Sequence, residues 1–247
     1  MIQIVDKTER SAAEDLVHSV QGHYATTLAD PPWRFENRTG KMAPEHKRLL
    51  RYPTLSIEEI KALPVPSLTA PKAHLYLWVP NALLPWGLEV VSAWGFEFKS
   101  VITWYKVRKD GGPDGRGVGF YFRNVTEMLL FGIRGKNNRT LPPGRRQTNI
   151  MVTRKREHSR KPDETYDIIE RCSPGPYLEL FARFKRPGWS QWGNEDVEQN
   201  AENGVAKRRG HVDGEQSILD LRGYQVHQPD EMSLFRGKDM PKTLGIV

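Results

Sequence analysis

Tyr24-Ala25-Thr26-Thr27-Leu28-Ala29, followed at once by Asp30-Pro31-Pro32-Trp33, is the stretch from which the fold is read. Thr and Leu give the first six residues the character of a short buried strand, and the Pro-Pro pair stops it abruptly. Asp30 is thereby placed at the carboxyl end of a strand. Two prolines fix φ and remove backbone donors, so the acid and the indole are held in one rigid geometry with the Pro31 carbonyl pointing outward. That geometry suits an exocyclic amine: carboxylate and carbonyl accept its hydrogen bonds while Trp33 stacks on the base that carries it. Accepting those bonds turns the nitrogen lone pair toward an electrophile and stabilises the positive charge developing on it. The plain alternative for the tetrapeptide is a proline turn with a stacking Trp.

Working outward, Arg34 to Tyr52 has no apolar period and six basic residues, which predicts a long loop. Ser56 and Glu59 form a capping box that opens a short helix to Leu63. His74 to Val79 reads as the next strand, and Asn81 as the cap of a helix to Trp94 stopped by Gly95. Phe96 to Lys106 and Thr126 to Ile133 are further strands, separated by a loop with five glycines. A charged segment follows, then a helix from Pro162 through Arg171 and a strand from Tyr177 to Arg183. Strands alternating with helices predict an α/β fold, a central sheet with helices on both faces, whose ligands bind beyond the carboxyl ends of the strands. From Val197 onward the chain is polar without a strong period, so 1–196 is expected to form the folded domain and 197–247 a polar extension.

Of 247 residues, 38% are hydrophobic and 24 are Trp, Tyr or Phe, enough for a sizeable core. The charge of +7 resides in the domain, since the last 51 residues hold 7 basic against 8 acidic side chains. Arg134 to Lys161 concentrates ten basic residues against the single acid Glu157, including Arg145, Arg146, Arg154, Lys155 and Arg156. A polyanion is the natural partner, the alternative being a solvated charged loop. No apolar run approaches the ~20 residues that span a bilayer. Met1 to Arg10 lacks the apolar core of a secretory signal, and one cysteine permits no disulfide, which together favour a cytoplasmic protein. The seven histidines lack metal-ligand spacing, and neither G-x-G-x-x-G nor G-x-x-x-x-G-K-[ST] occurs, so metal, dinucleotide and P-loop chemistry lose support.

Four blocks carry a resemblance. Leu28-Ala29-Asp30-Pro31-Pro32-Trp33, Tyr52-Pro53-Thr54-Leu55-Ser56, His158-Ser159-Arg160-Lys161-Pro162-Asp163-Glu164, and Glu179-Leu180-Phe181-Ala182-Arg183 with Trp189 and Trp192-Gly193-Asn194 resemble the MT-A70 family of adenine N6-methyltransferases, bacterial members above all. The likeness runs from about Tyr24 to Glu195 with the blocks in family order. It implies a Rossmann-like methyltransferase fold, S-adenosylmethionine as methyl donor, and adenine in DNA or RNA as acceptor. Residue by residue, it gives Asp30, Pro31, Pro32 and Trp33 the catalytic role, with Asp30 also near the donor's methionine part. Lys161 would contact the methionine carboxylate. Glu179, Arg183 and Asn194 would hold the donor's ribose and adenine edges, against the plain alternatives of a strand-end salt bridge and an ordinary turn. Lys185-Arg186 and Glu195 depart from the eukaryotic pattern.

The reading that follows is a donor-dependent methyltransferase acting on N6 of adenine in nucleic acid, DNA ahead of RNA, with the base flipped out if the substrate is duplex. The alternatives are an RNA adenine N6-methyltransferase and a catalytically inactive nucleic-acid-binding relative. A homodimer stays open; a membrane partner is not expected.

Overall fold

The computed structural model describes residues 11–34, 54–115, 121–154 and 160–193, all within the first of the chain's two units, Met1–Ala206. The long loop expected over Arg34 to Tyr52, the boundary at Val197, and Asn194, Lys155 and Arg156 lie outside the described residues, Arg34 excepted.

Seven strands form one sheet: β1 (Tyr24–Ala29), β2 (Thr69–Val79), β3 (Glu97–Val107), β4 (Thr126–Arg134), β5 (Ile150–Arg154), β6 (Tyr177–Leu180) and β7 (Trp189–Trp192), in the order β5-β3-β4-β2-β1-β6-β7. β4 pairs antiparallel with both neighbours and every other pairing is parallel, so six strands point their carboxyl ends at one edge. The amino end of β4 reaches that same edge. Among the described residues four α-helices complete the layers: α1 (Ala12–Ser19), α2 (Ile57–Lys61), α3 (Leu84–Ala93) and α4 (Glu164–Cys172).

The central strand β2 explains the layering. Leu75, Leu77 and Val79 face Leu16 of α1, Ile60 of α2 and Val90 and Val91 of α3. Tyr76 and Trp78 face Ile168, Ile169 and Cys172 of α4 on the other side. A strand buried on both faces reads as an unbroken apolar run, which is why His74 to Val79 is legible from sequence. Each fully buried Leu contributes roughly 1.5–3 kcal/mol. Trp94 is wholly buried and donates its indole N–H to the Ile60 carbonyl at 3.0 Å, tying α3 to α2.

Several expectations are corrected. β2 starts at Thr69 because a bulge opposite Tyr24 and Thr26 absorbs Pro71, which has no N–H to give the ladder. Asn81 does not cap α3; a 3-10 turn precedes that helix, and the Asn81 amide donates to the Thr126 hydroxyl at 2.9 Å. The helix expected from Pro162 starts at Glu164, and the strand expected to Arg183 ends at Leu180, because Phe181 takes φ +64° and turns the chain. α1, β5 and β7 were not expected. β5 is an edge strand in which only Met151 is buried, so its sequence reads as charged loop. Among the described residues no helix is long and apolar enough to cross a membrane.

β6 and β7 converge closely at their ends. Ala182 donates its N–H to the Trp192 carbonyl at 2.9 Å, and a Cβ on Gly193 would stand 2.9 Å from the Ala182 nitrogen and closer still to its carbonyl oxygen. Both clashes are with backbone, which cannot rotate away. Gly193→Ala is therefore expected to lower stability by about 2–3 kcal/mol, read as a fall in urea midpoint at unchanged slope. An unchanged midpoint rejects the close approach.

Candidate active site

β1 and β6 are adjacent and parallel, so Asp30 and the Phe181 turn emerge side by side at the carboxyl edge. Asp30 still donates its backbone N–H to the Leu180 carbonyl at 3.4 Å. The left-handed residue Phe181 carries strain of about 1–2 kcal/mol, and its ring packs edge-on against Trp192 at 5.3 Å. The turn re-aims Ala182 and Arg183, and the Arg183 charge is felt at Asp30.

The tetrapeptide is held from three sides. The Trp33 amide donates to the Pro31 carbonyl at 2.8 Å, and the Leu55 amide to the Pro32 carbonyl at 3.0 Å. The second of the four blocks, around Thr54 to Ser56, therefore lies against the first. The Trp33 indole N–H donates to the Trp78 carbonyl at 3.0 Å, and only 6% of the residue is exposed. Two expectations change. The Pro31 carbonyl spends one lone pair on the turn, and Trp33 anchors the turn in the core instead of offering a free face to a base, because its N–H edge needs a buried partner.

Lys161, 131 residues further on, reaches the same place. Its ammonium lies 2.8 Å from both Asp30 oxygens and 3.0 Å from Glu127 Oε1, and 5.4 Å from the Trp78 ring centre. Glu127 stands at the start of β4, the one strand whose amino end meets this edge, and takes Lys106 at 2.8 Å on its other oxygen. The result is an alternating row, Asp30, Lys161, Glu127, Lys106. Sequence reasoning missed Glu127 and Lys106; nothing in a strand read as Thr126 to Ile133 marks its second residue as facing Lys161.

The row sets the protonation of its members. Burial lifts the Asp30 carboxyl above its ordinary value; Lys161 pulls it back and the neighbouring Glu127 charge pushes it further up. Burial would raise Glu127 too, but Lys161 and Lys106 together hold it below the usual range. Lys161 resists the desolvation that would neutralise it, because Asp30 and Glu127 hold it protonated above its normal value.

Behind the row, Glu179 receives the Tyr166 hydroxyl on one oxygen and the Gln191 amide on the other, both at 2.7 Å. Burial raises its carboxyl. The Arg186 guanidinium lies 3.6 Å over the Tyr166 ring and pairs with Asp163 at 3.5 Å. Glu179 thus braces β6, β7 and α4 against each other.

The basic segment is split. Arg154 ends β5 at the site's edge, beside Val107. Arg145 and Arg146 sit on a 3-10 turn whose Gly144 packs on Cys172, at the end of α4 that faces the opposite edge of the sheet. β5 alone separates the two groups by about 13 Å at ~3.3 Å per residue. Among the described basic residues, Arg154 does not share a surface with Arg145 and Arg146, since the chain runs the height of the sheet between them.

The chain matches the MT-A70 family over residues 24–195. It is 32% identical over 182 residues to a putative N(6)-adenosine-methyltransferase MT-A70-like protein of Medicago truncatula, covering 71% of this chain and 27% of that protein. It is 32% identical over 184 residues to the N(6)-adenosine-methyltransferase catalytic subunit METTL3 of Homo sapiens, covering 72% of this chain and 29% of that protein. The type II methyltransferase M.MunI of a Mycoplasma species is 31% identical over 191 residues, 70% of this chain and 77% of that protein. The chain thus spans about a quarter of the length of the eukaryotic relatives.

Proposed function

The chain belongs to the MT-A70 family, and from that premise we propose that it transfers a methyl group from S-adenosylmethionine to N6 of adenine in nucleic acid, DNA ahead of RNA. Its Rossmann-like fold is the one that family implies. The observation that carries the reading is the meeting of Asp30 with Lys161, from blocks 131 residues apart, at the carboxyl ends of parallel strands. DNA ranks first on the sequence likeness to bacterial members and the 77% coverage of the Mycoplasma protein, against 27% and 29% for the eukaryotic ones.

The donor set suits S-adenosylmethionine. Its methionine end is zwitterionic, and Asp30, Lys161 and Arg183 bring both signs of charge to one edge. When bound, that group supplies a methyl on a positively charged sulfur. Lys161 would hold the methionine carboxylate, and Asp30 would turn its free lone pairs to the amine of the target. With the remaining lone pair of the Pro31 carbonyl, the Asp30 carboxylate orients the nitrogen and stabilises the charge it gains; the proton shed afterwards passes to Asp30 or to water.

A filter assay with labelled methyl donor on DNA and on RNA tests the reading. Label is expected in DNA, at N6 of adenine after digestion. Incorporation into neither polymer at any pH from 6 to 9 sinks the enzyme and leaves the inactive relative.

The pH profile probes the row itself. Asp30 must be ionised to accept from an amine, so kcat/KM falls on the acid side through a pKa that burial has raised above the ordinary aspartate value. Glu127→Gln removes a neighbouring negative charge and leaves Lys161 to Asp30 alone. Asp30 then ionises more readily, and the acid limb moves to lower pH. A limb that stays put, or moves up, shows that Glu127 and Asp30 are not coupled.

Arg154, at the site's edge, is proposed to hold phosphate, whereas Arg145 and Arg146 face away from the target base. Arg154→Glu should flatten the dependence of log affinity on log salt by about one counterion, and the Arg145→Glu/Arg146→Glu pair by less. The reverse ranking overturns this placement of the strand. Lys155, Arg156 and Asn194 keep the nucleic-acid and donor roles proposed from sequence.

A further inference from the structure

Two side chains on the site's edge are anomalous. Tyr121 is 86% exposed and Phe122 85%, whereas the next most exposed large aromatic among the described residues, Phe98, is 41%. Exposing two adjacent rings forfeits burial that the other described aromatics secure in larger part, so the pair marks a contact surface. Its place in the fold is fixed. Lys106 donates its N–H to the Val125 carbonyl at 2.8 Å, and Tyr105 pairs with Thr126, so residues 121–124 continue beyond the carboxyl end of β3. Phe122 is five residues from Glu127, hence within about 18 Å of it along the chain at most.

The surroundings are cationic. Arg108 follows β3, Arg154 ends the neighbouring β5 opposite Val107, and Arg123 adjoins the aromatic pair; all three are exposed. Asp110 offsets part of this charge by pairing with Arg108 at 2.9 Å. An apolar protein partner has no use for three guanidinium groups around two rings. A strand with unpaired bases does: rings stack on bases without regard to sequence, and the arginines take the phosphates.

We propose that Tyr121 and Phe122 form a stacking platform for the bases next to the target adenine, with Arg123, Arg108 and Arg154 holding the strand's phosphates. The platform rests on the nucleic-acid reading above and deepens it. Duplex substrate would need this as much as single strand, because a flipped adenine leaves its neighbours without a stacking partner. Trp33, committed to the core, does not serve; the platform supplies the aromatic surface that the segment Arg134 to Lys161 lacks.

The test uses the whole chain, a labelled ten-nucleotide single-stranded DNA, and fluorescence anisotropy over a range of salt. Tyr121→Ala/Phe122→Ala is expected to weaken binding at least about tenfold, by the same factor at every salt concentration, because stacking releases no counterions. Tyr121→Trp/Phe122→Trp should bind within about threefold of the unaltered chain. Arg123→Ala should instead flatten the salt dependence. Affinity for S-adenosylmethionine, by calorimetry, should not move in any of them. If the unaltered chain binds and methylates DNA but the double alanine variant binds equally well, the platform is overturned and the methyltransferase reading stands. If the unaltered chain binds no nucleic acid, both fall. A concentration-dependent dimer that the alanine variant abolishes, with DNA affinity intact, assigns the patch to a second copy and overturns the platform.

Discussion

Asp30→Asn lowers the rate of methyl transfer by about 10²–10⁴-fold, or roughly 2.7–5.5 kcal/mol of barrier, and does not weaken the fold. The variant keeps the shape and one acceptor oxygen but loses the charge that steadies the developing cation. Stability moves the other way. A carboxyl whose folded pKa is raised leaves stability intact below its unfolded pKa and subtracts from it as pH rises through the folded value, so at pH 7 ionised Asp30 is a net cost. The neutral amide removes that cost, and Lys161 retains Glu127. Single-turnover rates and urea midpoints at pH 7 measure the two halves. Loss of activity accompanied by a large loss of stability would falsify the assignment, because it would make Asp30 a structural ion-pair partner.

Lys161→Met lowers stability by about 2–3 kcal/mol at pH 7.5. It strips the cation from two carboxylates at once. Breaking a fully buried pair costs about 3–5 kcal/mol; the exposures here, 17% for Lys161 and Glu127 and 32% for Asp30, reduce that through solvent screening. Without the cation both carboxyls titrate higher than they do beside it, Asp30 further above its ordinary value and Glu127 with Lys106 as its remaining cation. The deficit is therefore widest at neutral pH and shrinks as pH falls toward 4 and both protonate. Unfolding in urea at pH 7.5 and at pH 4.5 gives the comparison, and a deficit equal at both rejects the row. Methyl transfer should fall as well, because Lys161 positions the Asp30 carboxylate.

Local chemistry was legible where one residue type has one physical use. Pro31-Pro32 had to end β1, and the Ser56 to Glu59 spacing had to open a helix: both halves of that capping box are present, with the Ser56 amide donating to Glu59 at 2.7 Å. The unbroken apolar run of β2 could only be a strand buried on both faces. Phe181 was not legible, since a left-handed Phe has no compositional mark and exists because Trp192 and the β6 to β7 contact hold it there. β5 was not legible either, since an edge strand with one buried side chain carries no period.

By itself the sequence determined that an acid stands at the end of a buried strand, that the chain alternates strands with helices, and that its four blocks are those of the MT-A70 family. Each rests on residues adjacent or nearly so, where sterics and hydrogen-bond supply act within a few bonds. Only the tertiary structure decided that Lys161 serves Asp30, that Glu127 and Lys106 extend the row, that Trp33 belongs to the core, and that Arg154 stands at the opposite edge from Arg145 and Arg146. Those are facts of sheet order and strand direction: β4 alone runs backward and delivers Glu127 to the carboxyl edge, and β5 carries the chain from Ile150 across the sheet to Arg154. Charge and hydrogen bonding act through space over a few ångströms, and which residues come within that distance is settled by packing, not by their separation along the chain.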